Sequence, residues 1–486
     1  MTVAGTTVAP AWIEGHVQAA GCAPRAGEDT FDVLNPATGL PLATLRDADV
    51  QDGRRALEAA RGAASAWAET SPRHRSGVLM RTFELMTERQ EQLAELISLE
   101  NGKSIADARA EVTYAAEYFR WYAEEVVRVR GEAFESPGGT NHVLVSYEPI
   151  GVSLLITPWN FPAAMATRKV GPALGAGCTA ILKPAAETPL TAIVIAGILR
   201  EAGLPEGVLN LLVTTRAREV TAPLIESGEV PMLSFTGSTE VGRVLQRQAA
   251  DHIANTAMEL GGNAPFLVLD DAELDDALDG AMLAKMRNGG QACTAANRFY
   301  VQDGIYGAFV GGLVERMAAV TIGDPLDGST GCGPLINPAA VEKVQELVDD
   351  AVRRGARIAL GGSVPDGDGS YYPPTVLTDV PADARILHEE VFGPVAPVIR
   401  FADVDQAVEA ANDTVHGLVS YLYTRDMRRG LQLTRRLEAG MVALNRGLVS
   451  DPAAPFGGVK QSGIGREGSH EGLYEYLETK YVATQW

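Results

Sequence analysis

From Gly151 onward the chain alternates short apolar, β-branched runs with segments of helix length, and this alternation restricts the fold more than any other feature. It predicts strands over 152–156, 179–182, 208–213, 232–235 and 255–260, with helices over about 162–177, 189–202, 217–228 and 239–250. Repeated strand–helix alternation implies an α/β fold with a parallel sheet covered on both faces. Such sheets bind ligands outside the carboxyl ends of their strands. The alternation resumes with a strand over 265–269, a helix over 274–287, a strand over 298–301 and a helix over 305–320, which indicates a second α/β unit. The join falls at Gly261-Gly262.

Ahead of this region, turn signals at Asn35-Pro36 and Gly39 between short β-type runs suggest hairpins up to about Leu45. Three helices are then expected: one capped by Asp47 or Asp49 and running to Ala68, one over 73–99 ending at Asn101-Gly102, and one over 104–129. Beyond Gly440 the sequence loosens into Gly- and Pro-rich segments around 451–468 and closes with 474–486, which reads as an arm packing on something else.

Composition excludes several classes. Across 486 residues, 41 Lys and Arg face 62 Asp and Glu, a formal charge of -21. Phosphate backbones require clustered positive charge, so a nucleic-acid partner is not expected. Cys22, Cys178, Cys293 and Cys332 lie far apart with no CxxC spacing, which argues against a disulfide framework or a metal site and for a reducing compartment. The start, Met1 to Val8, lacks a basic stretch and an apolar core of a secretion signal. Apolar runs such as 192–199 fall short of the roughly 20 residues a spanning helix needs. A cytoplasmic protein without a membrane partner is expected.

Five places carry potential chemistry. Cys293 follows Asn288, Gly289, Gly290 and Gln291 at a helix-to-strand seam, where a sulfur lies near backbone amides with little bulk in front of it. That suits a nucleophile, although a free cysteine is more often a small buried hydrophobe. Asn160, in Thr157-Pro158-Trp159-Asn160 directly after the first sheet strand, can aim its amide at a developing negative charge or simply form an Asx turn. Lys183 ends the second strand and can meet a ribose or phosphate; most lysines are merely solvated. Gly237 and Ser238 open a helix after another strand, a place suited to a pyrophosphate, yet no GxGxxG fingerprint follows any strand. Glu259, closing an apolar strand before two glycines, can be desolvated into a general base or be an ordinary ion-paired carboxylate.

These residues, read together, resemble one family. Pro158-Trp-Asn-Phe-Pro162, Lys183-Pro-Ala-Ala-Glu-Thr188, Phe235-Thr-Gly-Ser-Thr-Glu-Val-Gly242, Glu259-Leu-Gly-Gly262, Gly289-Gly-Gln-Ala-Cys-Thr-Ala-Ala-Asn-Arg298, Glu389-Glu-Val-Phe-Gly-Pro394 and Pro455-Phe-Gly-Gly-Val-Lys-Gln-Ser-Gly463 occur in the order found in aldehyde dehydrogenases. The resemblance covers nearly the whole chain and is greatest to the succinate-semialdehyde dehydrogenases. It implies a Rossmann-type dinucleotide-binding domain from 1–130 and 151–260, a catalytic domain over 261–445, and a small β oligomerisation arm from 131–150 and 465–486. A homodimer or homotetramer is implied.

The resemblance also implies roles. Cys293 attacks the aldehyde, Asn160 and the Cys293 backbone N–H hold the oxyanion, Glu259 activates water to release the acid, and Lys169 lies on the proton path. Thr157, Pro158, Trp159, Lys183, Ala186, Glu187, Gly237, Ser238, Leu260, Glu390 and Phe392 are the expected cofactor contacts. Many NAD-selective members carry Glu three residues after the lysine; here Ala186 stands there and Glu187 is shifted by one. Without that carboxylate a 2′-phosphate meets less repulsion, so NADP as well as NAD is expected, with Arg216 a candidate aid or an ordinary surface arginine. Arg168, Arg287 and Ser450 match the positions that grip a distal carboxylate, which favours succinate semialdehyde as substrate. Arg446 adds charge near that side and leaves glutarate semialdehyde or another aldehyde as alternatives. A CoA-acylating relative is disfavoured by Glu259, and a non-catalytic binding protein on this fold by the presence of Cys293, Glu259, Asn160 and Lys169 together. Ala295 excludes a disulfide with a cysteine two residues after the nucleophile.

Overall fold

The strand–helix alternation builds two sheets. In the computed structural model, which describes residues 10–485, the first sheet holds six strands in the order Gly463–Ile464, Asn255–Glu259, Met232–Thr236, Val152–Ile156, Thr179–Lys183 and Leu209–Leu211. The last five run parallel, and Gly463–Ile464 is antiparallel at one edge. Every residue of Val152–Ile156, Thr179–Lys183 and Met232–Thr236 is buried, as expected when helices cover both faces. Chain order runs outward from Val152–Ile156 to Leu209–Leu211, then returns to the other side at Met232. Such a reversal is where a parallel sheet offers a ligand crevice, here outside Ile156 and Thr236.

Residues 260–263 carry the chain from the first sheet to the second. The latter has seven strands in the order Arg357–Leu360, Thr375–Thr378, Val395–Phe401, Ala296–Gln302, Ala264–Val268, Val419–Tyr423 and Met441–Leu444. Only Arg357–Leu360 is antiparallel. A separate three-stranded sheet joins Leu477–Thr484 to His142–Pro149 and Glu132–Glu135, and exposes Phe134, Leu144, Tyr481 and Val482.

Local differences from the expected elements have physical reasons. The helix expected over 73–99 breaks at Arg89 (φ -107°, ψ 21°) into Pro72–Glu88 and Gln90–Asn101. Apolar spacing continues through the break because both helices bury one side, with Leu85 and Met86 followed by Leu93 and Ala94. Spacing reports the buried face rather than backbone continuity. A short helix, Trp12–Ala19, buries Ile13 and Val17 where only β-type runs were expected. The expected hairpin does form, pairing Thr30–Leu34 with Pro41–Arg46. Asp49, rather than Asp47, caps Val50–Ala68; its carboxylate accepts the Gln51 and Asp52 N–H groups while Asp52 reaches back to the Asp49 N–H. The Met1 to Val8 stretch lies outside the described residues. Among the described residues, no helix is long and apolar enough to cross a membrane.

Candidate active site

The helix Leu274–Met286 stops abruptly because Asn288 (φ 53°) and Gly289 (φ 59°) turn left-handed in succession. A left-handed asparagine costs of order 1 kcal/mol, and three hydrogen bonds offset it. The Asn288 N–H donates to the Asp107 carboxylate at 2.8 Å, and its side-chain amide donates to the carbonyls of Asn160 (2.8 Å) and Gln291 (3.2 Å). The Gln291 side chain in turn accepts the Ile336 N–H at 2.9 Å. This pinned turn presents Cys293, which is half-buried and unpaired. The Cys293 carbonyl abuts Gly262, where any Cβ would lie 2.4 Å from it. Hence Gly262 lets the second sheet's Cys293 segment approach the first sheet. Burial pushes the Cys293 thiol up to about 12, with Arg168 opposing the shift.

Asn160 is buried beside this turn and donates one amide hydrogen to the Gln291 carbonyl at 3.0 Å. A primary amide has two hydrogens, so one remains for an oxyanion. Its backbone carbonyl also accepts from Lys103 Nζ at 2.8 Å. Lys103 pairs with Glu111 at 2.5 Å, both side chains being fully buried. The other Glu111 oxygen accepts the Ala163 and Ala164 N–H groups at the start of the helix Pro162–Ala176 (2.9 and 3.3 Å). Lys103, Asp107 and Glu111 are not singled out by the sequence, and Asn288 enters there only as part of the run before Cys293. Only their charges hinted at the first three: Lys103 sits in the short connection after Asn101, and Asp107 and Glu111 on the helix Ile105–Glu125.

Glu259 ends its strand buried, with neither carboxylate oxygen hydrogen-bonded among the described residues. Burial first, then the charge of Glu467, raises its proton affinity well above the usual carboxylate range. Glu467, also absent from the sequence expectations, forms ion pairs with both Arg168 and Lys169, neighbours on the helix Pro162–Ala176. Burial would raise the Glu467 carboxyl, but these two cations hold it below its ordinary value. Lys169 also donates to Ser234 Oγ at 2.8 Å, and the Arg168 guanidinium lies 4.4 Å over the Phe456 ring.

Of the three residues expected to grip a carboxylate, Arg287 and Ser450 come together. Arg287 Nη1 donates to Ser450 Oγ at 3.2 Å, and the guanidinium lies 4.6 Å from the centre of the Phe161 ring and 5.8 Å from that of Tyr114. Arg287 has no ion-pair partner among the described residues, whereas Arg168 is held by Glu467. Arg446 is exposed.

The expected cofactor residues cluster at the strand ends around the crevice. The buried Thr157 donates its N–H to the Lys183 carbonyl at 3.1 Å, and Pro158 and Trp159 are half-buried beyond it. Trp159 meets Phe392 edge to face, with centroids 5.4 Å apart, and Phe392 is left-handed (φ 53°). Gly237 donates to the Glu259 carbonyl at 3.1 Å; the exposed Ser238 caps the helix Thr239–Ala250. Leu260 packs under Gly242 and donates to the Ser462 carbonyl at 2.9 Å. Glu390 accepts the Gly262 N–H at 3.2 Å, and burial lifts its carboxyl to about 7. Lys183 is buried without an ion-pair partner among the described residues, and burial lowers its proton affinity while Glu187 and Asp47 oppose the loss. A desolvated cation at a strand end fits a phosphate or ribose group. Ala186 is half-buried and Glu187 exposed. Arg216 is engaged by Asp29 at 3.0 Å and by the Asp47 carbonyl at 3.1 Å, so its position is that of an ion-paired arginine.

The aldehyde dehydrogenase family model matches residues 23–482. The chain is 51% identical over 441 residues to a succinate-semialdehyde dehydrogenase of Paenarthrobacter nicotinovorans, covering 91% of this chain and 98% of the relative. It is 48% identical over 453 residues to a glutarate-semialdehyde dehydrogenase of Pseudomonas putida, covering 93% and 94%. Among solved structures, an NADP-dependent enzyme of E. coli superposes with a TM-score of 0.93 at 46% identity, covering 94% of this chain and 95% of that one. With a family match spanning both sheets, and the expected nucleophile, amide and carboxylate all at the contact between them, the chain belongs to the aldehyde dehydrogenase family.

Proposed function

We propose that the enzyme oxidises a short semialdehyde bearing a distal carboxylate, succinate semialdehyde foremost, to the dicarboxylic acid with NADP or NAD. The observation that carries this reading is Arg287: a guanidinium with no ion-pair partner among the described residues, hydrogen-bonded to Ser450, six residues from Cys293. A forked cation beside a hydroxyl suits a substrate carboxylate. The relatives named for succinate and glutarate semialdehydes support the class, and the second keeps a five-carbon substrate as the alternative.

In this mechanism Cys293 Sγ attacks the aldehyde carbon as the thiolate and forms a thiohemiacetal. The free hydrogen of the Asn160 amide, together with the Cys293 N–H, meets the oxygen that becomes negative. Lys183, Ser238, Trp159, Glu390 and Phe392 would hold the dinucleotide, and its nicotinamide would supply the acceptor for the hydride that leaves the thiohemiacetal carbon as the oxyanion re-forms C=O and the Cys293 thioester results. Glu259 takes a proton from water, which attacks the resulting thioester and releases the acid and the thiol. Lys169 passes that proton outward through Glu467. The absence of a carboxylate at Ala186 supports acceptance of NADP. Its four unpaired cysteines fit a reducing cytoplasm, and the apolar residues exposed on the three-stranded sheet fit a homodimer or homotetramer.

The test is a panel of succinate, glutarate and neutral aldehydes against both cofactors, read at the reduced-nicotinamide absorbance, with Cys293→Ala as control. The highest kcat/KM belongs to an acidic semialdehyde. A preference for neutral aldehydes contradicts the substrate assignment, and a large NAD preference contradicts the reading of Ala186.

A further inference from the structure

Arg168 is in an unusual state for a buried cation. It is 1% exposed, its Nε pairs in charge with Glu467 Oε2 without making a hydrogen bond, and both Nε and Nη2 are buried without a hydrogen-bond partner among the described residues. A buried guanidinium N–H left unpaired is costly, so such a donor marks a seat for an acceptor. On the other side of Glu467 stands Lys169, and nearby Glu259 has both oxygens unpartnered. Tyr114 lies within electrostatic reach of Arg168 and next to Arg287, so the two arginines flank one aromatic wall.

We propose that Glu467 is an internal ligand which the substrate's distal carboxylate displaces from Arg168, so that filling the substrate site raises the proton affinity of the Glu467–Glu259 pair. This rests on the reading of the substrate as a carboxylate-bearing semialdehyde. The arriving carboxylate first takes the unpaired Nη2, then competes with Glu467 for the same guanidinium, because one fork holds one carboxylate well. Glu467 then keeps only Lys169 as a full partner. Two effects follow with the same sign: a new negative charge enters, and the positive charge compensating Glu467 is shared. The groups facing Glu467 are Arg168 and Lys169 from one helix, Tyr122 from the helix Ile105–Glu125, Ser234 and Glu259 from the first sheet, and Arg466, Glu475 and Tyr476 from the tail. Lys169 and Arg466 oppose proton uptake, and Glu259 and Glu475 favour it. Glu259 accepts the proton without breaking a hydrogen bond. Glu467 is thus a positioning residue that makes Glu259 more basic when an acidic substrate, and not a neutral one, is seated.

Calorimetry of the full-length enzyme with succinate, a non-reacting dicarboxylate, tests this without any variant. Titrations from pH 6 to 9 in two buffers of different ionisation heat should show net proton uptake, with none for butyramide as the neutral probe. Succinate binding without uptake at any of these pH values overturns the coupling. In Glu467→Gln the succinate Kd should tighten about tenfold and the uptake should shrink; an unchanged or weaker Kd overturns the displacement. Glu467→Asp keeps the charge but withdraws it by one methylene, and should tighten succinate by a smaller factor. If succinate fails to bind the wild type while neutral aldehydes are oxidised, the substrate assignment itself falls. If it binds and Arg287→Ala weakens it, but no uptake occurs, only the role of Glu467 falls.

Discussion

Replacing Lys103 with methionine removes a cation whose loss should be felt in two separable ways. Both members of the Lys103–Glu111 pair are fully buried, and removing one partner of such a pair costs about 3–5 kcal/mol because the other is left uncompensated. Glu111 retains the Ala163 and Ala164 N–H groups, so the loss belongs at the lower end, about 3 kcal/mol. The second effect is local to the chemistry. The Asn160 carbonyl loses a charged donor and keeps only the Asn288 amide, a hydrogen bond of about 1.5–3 kcal/mol forgone. Removing an oxyanion donor outright lowers kcat roughly 10²–10³-fold. Loosening Asn160 without removing it should cost a part of that, about tenfold. The assay pairs urea unfolding, followed by intrinsic fluorescence, with kcat from reduced-nicotinamide absorbance. In Lys103→Met/Glu111→Gln, stability should recover in part because no lone charge remains buried, while kcat stays low because Asn160 still lacks its donor. A single variant that unfolds at the wild-type urea concentration with unchanged kcat refutes the reasoning.

Two further outcomes follow from the buried titratable groups. The Cys293 thiol, pushed up to about 12, is neutral at ordinary pH, so its thiolate fraction grows about tenfold per pH unit. Iodoacetamide inactivation of the free enzyme should accelerate steadily through pH 9; a plateau below pH 8 contradicts this. Glu259 is raised as well, so its basic form is gained as pH increases and thioester hydrolysis should quicken from neutral to alkaline pH. In Glu259→Gln, a stopped-flow burst of one reduced nicotinamide per site should persist while steady turnover falls at least 100-fold. Loss of the burst together with turnover places Glu259 in acylation instead.

The sheets, and the turns on which the candidate site residues lie, were largely legible in the sequence because their signals are local. Strand runs such as Val152–Ile156 are continuous in apolar character, and Cys293, Asn160 and Glu259 each sit at a turn whose glycines or prolines mark the end of an element. Glu467 was not legible. Its partners Arg168 and Lys169 lie about 300 residues earlier in sequence, and its Gly-rich surroundings look like an exposed arm. The same holds for Lys103 and Glu111, whose meaning comes only from the Asn160 carbonyl between them and the helix start. Arg168 shows what its position in the sequence leaves out: the residue type suits a carboxylate, and in this structure it contacts that of Glu467, a residue the sequence does not bring to it.

The central claim is that one segment carries both chemistry and substrate choice, through Cys293 and Arg287. It is tested most directly by the ratio of kcat/KM for succinate semialdehyde to that for butanal, compared between wild type and Arg287→Ala. Losing a charge-assisted hydrogen-bonded contact worth about 1.5–3 kcal/mol should lower that ratio roughly 10- to 150-fold, mainly through KM for the acidic substrate. Equal effects on both aldehydes would contradict the claim.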